Sequence, residues 1–172
     1  MRILLLGTEH KYQILGCSPG NQSMFSQTLR DLVKKYDVTL FAEELNKEAI
    51  EKRGGHDSIA RIVSIDLGIN HIFCDPTSKE REQLGIPSCK QIRESLGIHI
   101  YLKPDQDKQI KLLEAEERKY WGIREKFWLK SLQNQYFTCC LFILGSSHVQ
   151  SFKKLLNMNN IDVLVVHENW MD

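Results

Sequence analysis

The 172-residue chain has no excess charge of either sign: 23 Lys+Arg stand against 22 Asp+Glu, a formal net charge of +1. A nucleic-acid face or a membrane-surface protein calls for a basic surplus, so neither partner is expected. No apolar run is long enough to span a bilayer. The opening MRILLLG passes at once into Gly-Thr-Glu-His, without the small-residue cleavage site of a secretory leader. Cys-x-x-Cys is absent, and the five cysteines (Cys17, Cys74, Cys89, Cys139, Cys140) are an odd number. Reduced thiols in a cytoplasmic protein are the expectation. Cys139–Cys140 leads into an apolar strand and reads as core, because vicinal cysteines strain the backbone when bonded. Cys17 and Cys89 lie in loop-like sequence, where a thiol can react. The first loop also lacks Gly-x-Gly-x-x-Gly, which leaves a dinucleotide-binding domain without support.

What is present is an ordinary globular composition, 42% hydrophobic and 26% charged. The length suits one α/β domain over residues 1–172. Two apolar runs share one grammar: ILLLGTEH over Ile3–His10 and LFILGSSH over Leu141–His148. Each reads as a fully buried strand ending in Gly-x-x-His, the glycine allowing a sharp turn and the histidine lying on the exit loop. Further strands are expected at Val38–Ala42, His71–Cys74, Ile98–Leu102 and Ile161–Val166. Helices are expected over Ser23–Tyr36, Asn46–Arg53, from Asp57 or Ser58 to Gly68, from a capping box at Thr77 and Glu80, over Ser88–Leu96, and over Val149–Leu156. One long charged helix is expected over 105–135, with Gly122 as a kink or close contact. Trp170 is expected to pack as a lid. Strands alternating with helices imply a mostly parallel central sheet with helices on both faces.

Ligands of such sheets bind beyond the carboxyl ends of the strands. The residues there are Thr8, Glu9 and His10; Glu43 and Glu44; Asp75; Ser146, Ser147 and His148; and His167 and Glu168. Two histidines with a carboxylate are a donor set for a divalent transition metal, with manganese, zinc, cobalt, nickel and iron undistinguished. A neighbouring carboxylate such as Glu9 or Asp75 can act as base, and Ser146 or Ser147 can hold an anionic oxygen. Each residue also has a plain structural role: a histidine can bond a loop carbonyl, Glu43-Glu44 can begin a helix, and Asp75-Pro76 can start a turn. His71 falls at the start of its strand, on the wrong edge for a site; His56, next to Gly55, reads as a helix-entry residue, and His99 lies in or beside a strand with no evident partner.

Gly7-Thr8-Glu9-His10, the strand-end Glu43 and Gly145-Ser146-Ser147-His148 followed by a helix and a closing strand resemble the superfamily of erythromycin esterases, haem-binding ChaN proteins, TraB and the Tiki proteases. The resemblance implies an α/β fold and, for several members, metal-dependent hydrolysis through the two histidines and the glutamate. Other members bind haem or have no enzymatic role. It also implies a basic residue on a helix, for which Arg124 is the candidate and Arg118 the alternative. The expectation is thus a metal-dependent hydrolase of a small molecule or peptide. His10, Glu43 and His148 would hold the metal, and Glu9, Asp75, Ser147 and Arg124 would act on the substrate. The competing expectation is a non-catalytic binding or regulatory subunit that assembles with itself or another protein through Trp121, Phe127 and Trp128 on the 105–135 helix.

Overall fold

A computed structural model describes residues 1–17, 19–98 and 106–171. Five strands form one parallel sheet: β1 (Arg2–Thr8), β2 (Leu40–Glu43), β3 (Asn70–Phe73), β4 (Cys139–Gly145) and β5 (Asp162–His167). Their order across the sheet is β3-β2-β4-β1-β5. The late strand β4 thus inserts between β1 and β2, with Leu4 opposite Leu141 and Phe41 also opposite Leu141. Three central strands buried on both faces explain the continuous apolar runs.

The period-2 alternation of the strands divides the core into two layers. Ile3, Leu5, Leu40, Ala42, Cys140, Phe142 and Leu144 face one side. There they meet Trp128, Leu129 and Leu132 of α8 (Trp121–Gln133) and Phe152 and Leu156 of α9 (Val149–Met158). Leu4, Leu6, Phe41, Leu141 and Ile143 face the other side. They pack on Phe25 and Leu29 of α2 (Pro19–Tyr36) and Ile59, Ala60 and Val63 of α4 (Ile59–Leu67). The chain therefore leaves β1 toward one face and its neighbour β4 toward the opposite face. Adjacent strands whose connections diverge in this way open a crevice at their carboxyl ends.

Local signals place the shorter elements as expected. Ser58 caps α4 by accepting the Arg61 N–H, and Gly68 closes it at φ +66°. Thr77 and Glu80 form the capping box of α5 (Ser78–Gln83), and Ser88 caps α6 (Cys89–Ser95). Asn46 caps α3 (Lys47–Lys52). Trp170 is buried edge-on against Phe25 and Tyr12, and its backbone N–H donates to Gly7 O at 2.7 Å.

Two expectations are corrected. His10 does not lie on a loop but opens the short helix α1 (His10–Gln13), after which Leu15 N–H donates to Asp57 O at 2.9 Å. The single helix expected over 105–135 is two, α7 (Gln106–Arg118) and α8, separated by a turn at Lys119–Tyr120. The break lets α8 lie on the sheet while α7 packs against α6. The strand expected at Ile98–Leu102 falls, after Ile98, outside the described residues, as does His99.

Candidate active site at the carboxyl edge of the sheet

His10, Glu44, Asp75, Arg124 and His148 come together where β1, β2, β3 and β4 end. Glu44 lies at the centre. Its Oε1 accepts from Arg124 Nη2 at 2.7 Å and faces His148 Nε2 at 3.6 Å and His10 Nε2 at 3.9 Å. Its Oε2 accepts the backbone N–H of Gly145 at 2.7 Å. Burial by itself would raise this carboxyl; the Arg124, His148 and His10 charges and the Gly145 N–H outweigh it and hold the pKa at about 2.

Arg124 links the group. Its Nε and Nη2 donate to Asp75 Oδ1 at 3.0 and 2.7 Å, and Nη1 faces His148 Nε2 at 3.5 Å. Asp75 is neutralised further by Arg81 at 2.5 Å and accepts the Trp128 indole N–H at 3.1 Å. His148 is clamped from behind: its Nδ1 lies 2.9 Å from Glu125 Oε1, which also accepts from Ser151 Oγ at 2.5 Å. Trp121 and Trp128 flank the ring, with centroids 4.2 and 5.0 Å away. An imidazole fixed by a carboxylate at Nδ1 presents Nε2 in one orientation.

Solvent reaches the cluster at His10, whose side chain is 27% exposed, and at Arg124, 15% exposed, whereas Glu44 is 2% exposed. Burial pushes the His10 pKa below 6.5; Glu44 and Asp75 oppose the shift, while Arg53 and Arg124 add to it. Gln13 Nε2 lies 3.4 Å from His10 Nδ1, and Gln13 Oε1 is buried without a hydrogen-bond partner among the described residues. Turning the amide over lets Nδ1–H donate to that oxygen, and the lone pair then resides on Nε2, toward Glu44.

Of the expected site residues, His10, His148, Asp75 and Arg124 meet. Glu43 does not. Leu40 and Ala42 face α8, so Glu44 continues on that side and Glu43 points toward α4. There Glu43 Oε1 accepts from Ser58 Oγ and pairs with His71 Nε2 at 2.7 Å. Glu44 therefore replaces Glu43 in the site, and His71 is the partner of the displaced acid. Glu9 is also corrected: it is exposed and paired with Lys11 at 2.8 Å. Ser147 is exposed on the 3-10 turn Ser146–His148, and among the described residues no hydrogen bond ties it to the cluster. Asp75, with both oxygens on guanidinium groups, holds Arg124 in place rather than standing free as a base. Of the aromatics assigned to a partner surface, Trp128 is fully buried, Phe127 packs against the core and Trp121 lies on His148.

The motif glycines serve a purpose other than a sharp turn. Gly145 has an ordinary φ of −60°. A Cβ there would lie 3.2 Å from Glu44 Oε2 and 3.8 Å from His10 Nε2. A Cβ on Gly7 would lie 1.9 Å from Glu168 O. Both positions permit close approach rather than an unusual backbone conformation. Glu125 and Gln13, which orient the two imidazoles, carry no sequence signal: one is a charged residue on a charged helix and the other follows a motif by three positions.

Among the described residues, no group of three histidine, cysteine or carboxylate side chains is placed to hold a metal ion. The donor set itself gives the reason. His10, His148 and Glu44 converge, but the Arg124 guanidinium is hydrogen-bonded to the shared carboxylate oxygen, so a cation already neutralises it. The residues in this arrangement do not fit a bound divalent ion. No protein-family model, curated protein or solved structure matches the chain.

Proposed function

We propose that the chain is a hydrolase in which His10 is the general base. The observation that carries this reading is His10 itself: a histidine with a lowered pKa, reachable from solvent and beside a guanidinium at the divergent edge of a parallel sheet. A neutral imidazole near neutral pH can take a proton from water as the water attacks a carbonyl or phosphoryl centre. Arg124 has five N–H groups, four of them hydrogen-bonded to Asp75, Glu44 and His148 or facing them. The remaining Nη1–H is a donor for the oxygen on which charge develops. Glu44 and Asp75 hold that guanidinium, and Glu125 holds His148 against it. The bond cleaved is an ester, amide or phosphoester of a small molecule or peptide.

A second reading keeps the metal. Both Nε2 atoms lie within 4 Å of one Glu44 oxygen. The two imidazoles and that carboxylate would offer three donors to a cation if Arg124 withdrew. One experiment separates the readings: turnover of simple esters, amides and phosphoesters by wild type and His10→Ala, with and without a chelator, beside elemental analysis of the purified protein. Chelator-resistant turnover that His10→Ala abolishes supports the histidine base. A stoichiometric divalent ion whose removal stops turnover supports the metal. Wild-type turnover no faster than that of His10→Ala refutes the first.

A further inference from the structure

The face of α8 turned to the site is a stripe at helical spacing: Trp121, Arg124, Glu125 and Trp128. Three of the four are engaged inside the cluster. Arg124 binds Glu44 and Asp75, Glu125 holds His148, and Trp128 is fully buried with its indole N–H on Asp75. Trp121 differs. It opens the helix at the solvent end of the stripe and is only partly buried. Its indole N–H makes no hydrogen bond among the described residues. Its ring nevertheless lies on that of His148, 4.2 Å between centroids. Glu125 and the buried Trp128 already hold this imidazole, so the exposed part of Trp121 is left to meet what enters the site.

Position ties that surface to the reacting bond. Arg124 Nη1, which carries the donor left for the developing charge, lies 3.5 Å from His148 Nε2, and Trp121 lies on the same imidazole. Trp121 and Arg124 are one helical turn apart on one face, a spacing that puts their Cβ atoms about 5–6 Å apart. A substituent a bond or two from an atom held at Arg124 therefore reaches the indole. Arg118, at the end of α7, lays its guanidinium over the same ring at 5.3 Å. It is exposed and makes no ion pair or hydrogen bond among the described residues. Indole and guanidinium both favour a flat π-surface: an aromatic group adds ring contact beyond its buried area and takes a guanidinium on its face, whereas an aliphatic group offers area alone. We infer that Trp121 is a specificity-determining residue that receives an aromatic ring carried by the substrate next to the bond addressed by His10, with Arg118 beside it. The inference rests on the hydrolase reading for the position of that bond, and it names the substrate class: esters, amides or phosphoesters bearing an aryl group.

The test compares the full wild-type chain with Trp121→Leu, Trp121→Phe and Arg118→Gln. Two uncharged substrates of one bond type are used, alike except that one carries a phenyl and the other a cyclohexyl group. The preference for phenyl, as the ratio of kcat/KM values, is expected to fall about fivefold in Trp121→Leu, which is what an aromatic pair is worth beyond its area. It is expected to be kept in Trp121→Phe and to fall less in Arg118→Gln. Equal losses on both substrates in Trp121→Leu make Trp121 a prop for His148 only and overturn the inference. A binding measurement separates its failure from that of the hydrolase reading. Benzyl alcohol and cyclohexylmethanol are titrated into wild type and His10→Ala while the Trp121 indole N–H signal is followed by NMR. A saturable shift with benzyl alcohol that exceeds the shift with cyclohexylmethanol in both proteins supports the aromatic site even without turnover. A signal that neither probe moves, or that both move equally, overturns it even if turnover is found.

Discussion

Glu44→Gln is the most informative single substitution. It keeps the size of the side chain and an acceptor for Gly145 N–H, but removes the charge facing Arg124, His148 and His10. The folded protein lowers this carboxyl from an ordinary 4.5 to about 2. At ~1.4 kcal/mol per tenfold change in proton affinity, that is about 3 kcal/mol of stability. Its pH dependence has a definite sign. The folded-state pKa is depressed, so the unfolded chain binds the proton more tightly. The contribution is complete above about pH 4.5 and is lost as pH falls toward 2. Urea unfolding of wild type and Glu44→Gln, repeated from pH 7 downward, measures it. The gap is expected to be about 3 kcal/mol near pH 7 and to close below pH 4.5. Superimposable curves near pH 7, or a gap unchanged by acidification, would refute the account of Glu44 as the charge that organises the site.

Three further outcomes follow from the same geometry. The kcat/KM of the hydrolysis is expected to fall on acidification through an apparent pKa below 6.5, because burial favours neutral His10 and only that form accepts a proton; a pH–rate profile with a midpoint above 6.5 contradicts the assignment. Glu125→Gln removes the charged partner of His148 Nδ1 and is expected to cost about 2 kcal/mol in stability and to lower kcat more than it raises KM, read by urea melts and steady-state kinetics. Gly7→Ala places a methyl carbon against Glu168 O and is expected to cost about 3 kcal/mol in a denaturation curve, whereas Ala at Gly145 presses only on the Glu44 carboxylate, at 3.2 Å, and meets His10 at ordinary contact distance.

The chain by itself determined the features that depend on neighbours in sequence. Apolar runs marked the buried strands. Ser58, Thr77 with Glu80, Ser88 and Gly68 marked helix ends, because caps act over three or four residues. The Gly-x-x-His runs marked where two histidines leave the sheet. Only the tertiary structure could choose Glu44 over Glu43. β2 is buried on both faces, so Leu40, Phe41 and Ala42 are all apolar and show no alternation from which a facing direction can be read. The insertion of β4 between β1 and β2, which brings His148 near both His10 and Glu44, pairs strands 100 residues or more apart in sequence and leaves no local trace. The same holds for Arg124 and Glu125, surface-like charges on a charged helix until the turn at Lys119–Tyr120 lays α8 on the sheet. The histidines were legible because strand ends are local; what surrounds them was not, because contact between distant segments is decided by packing.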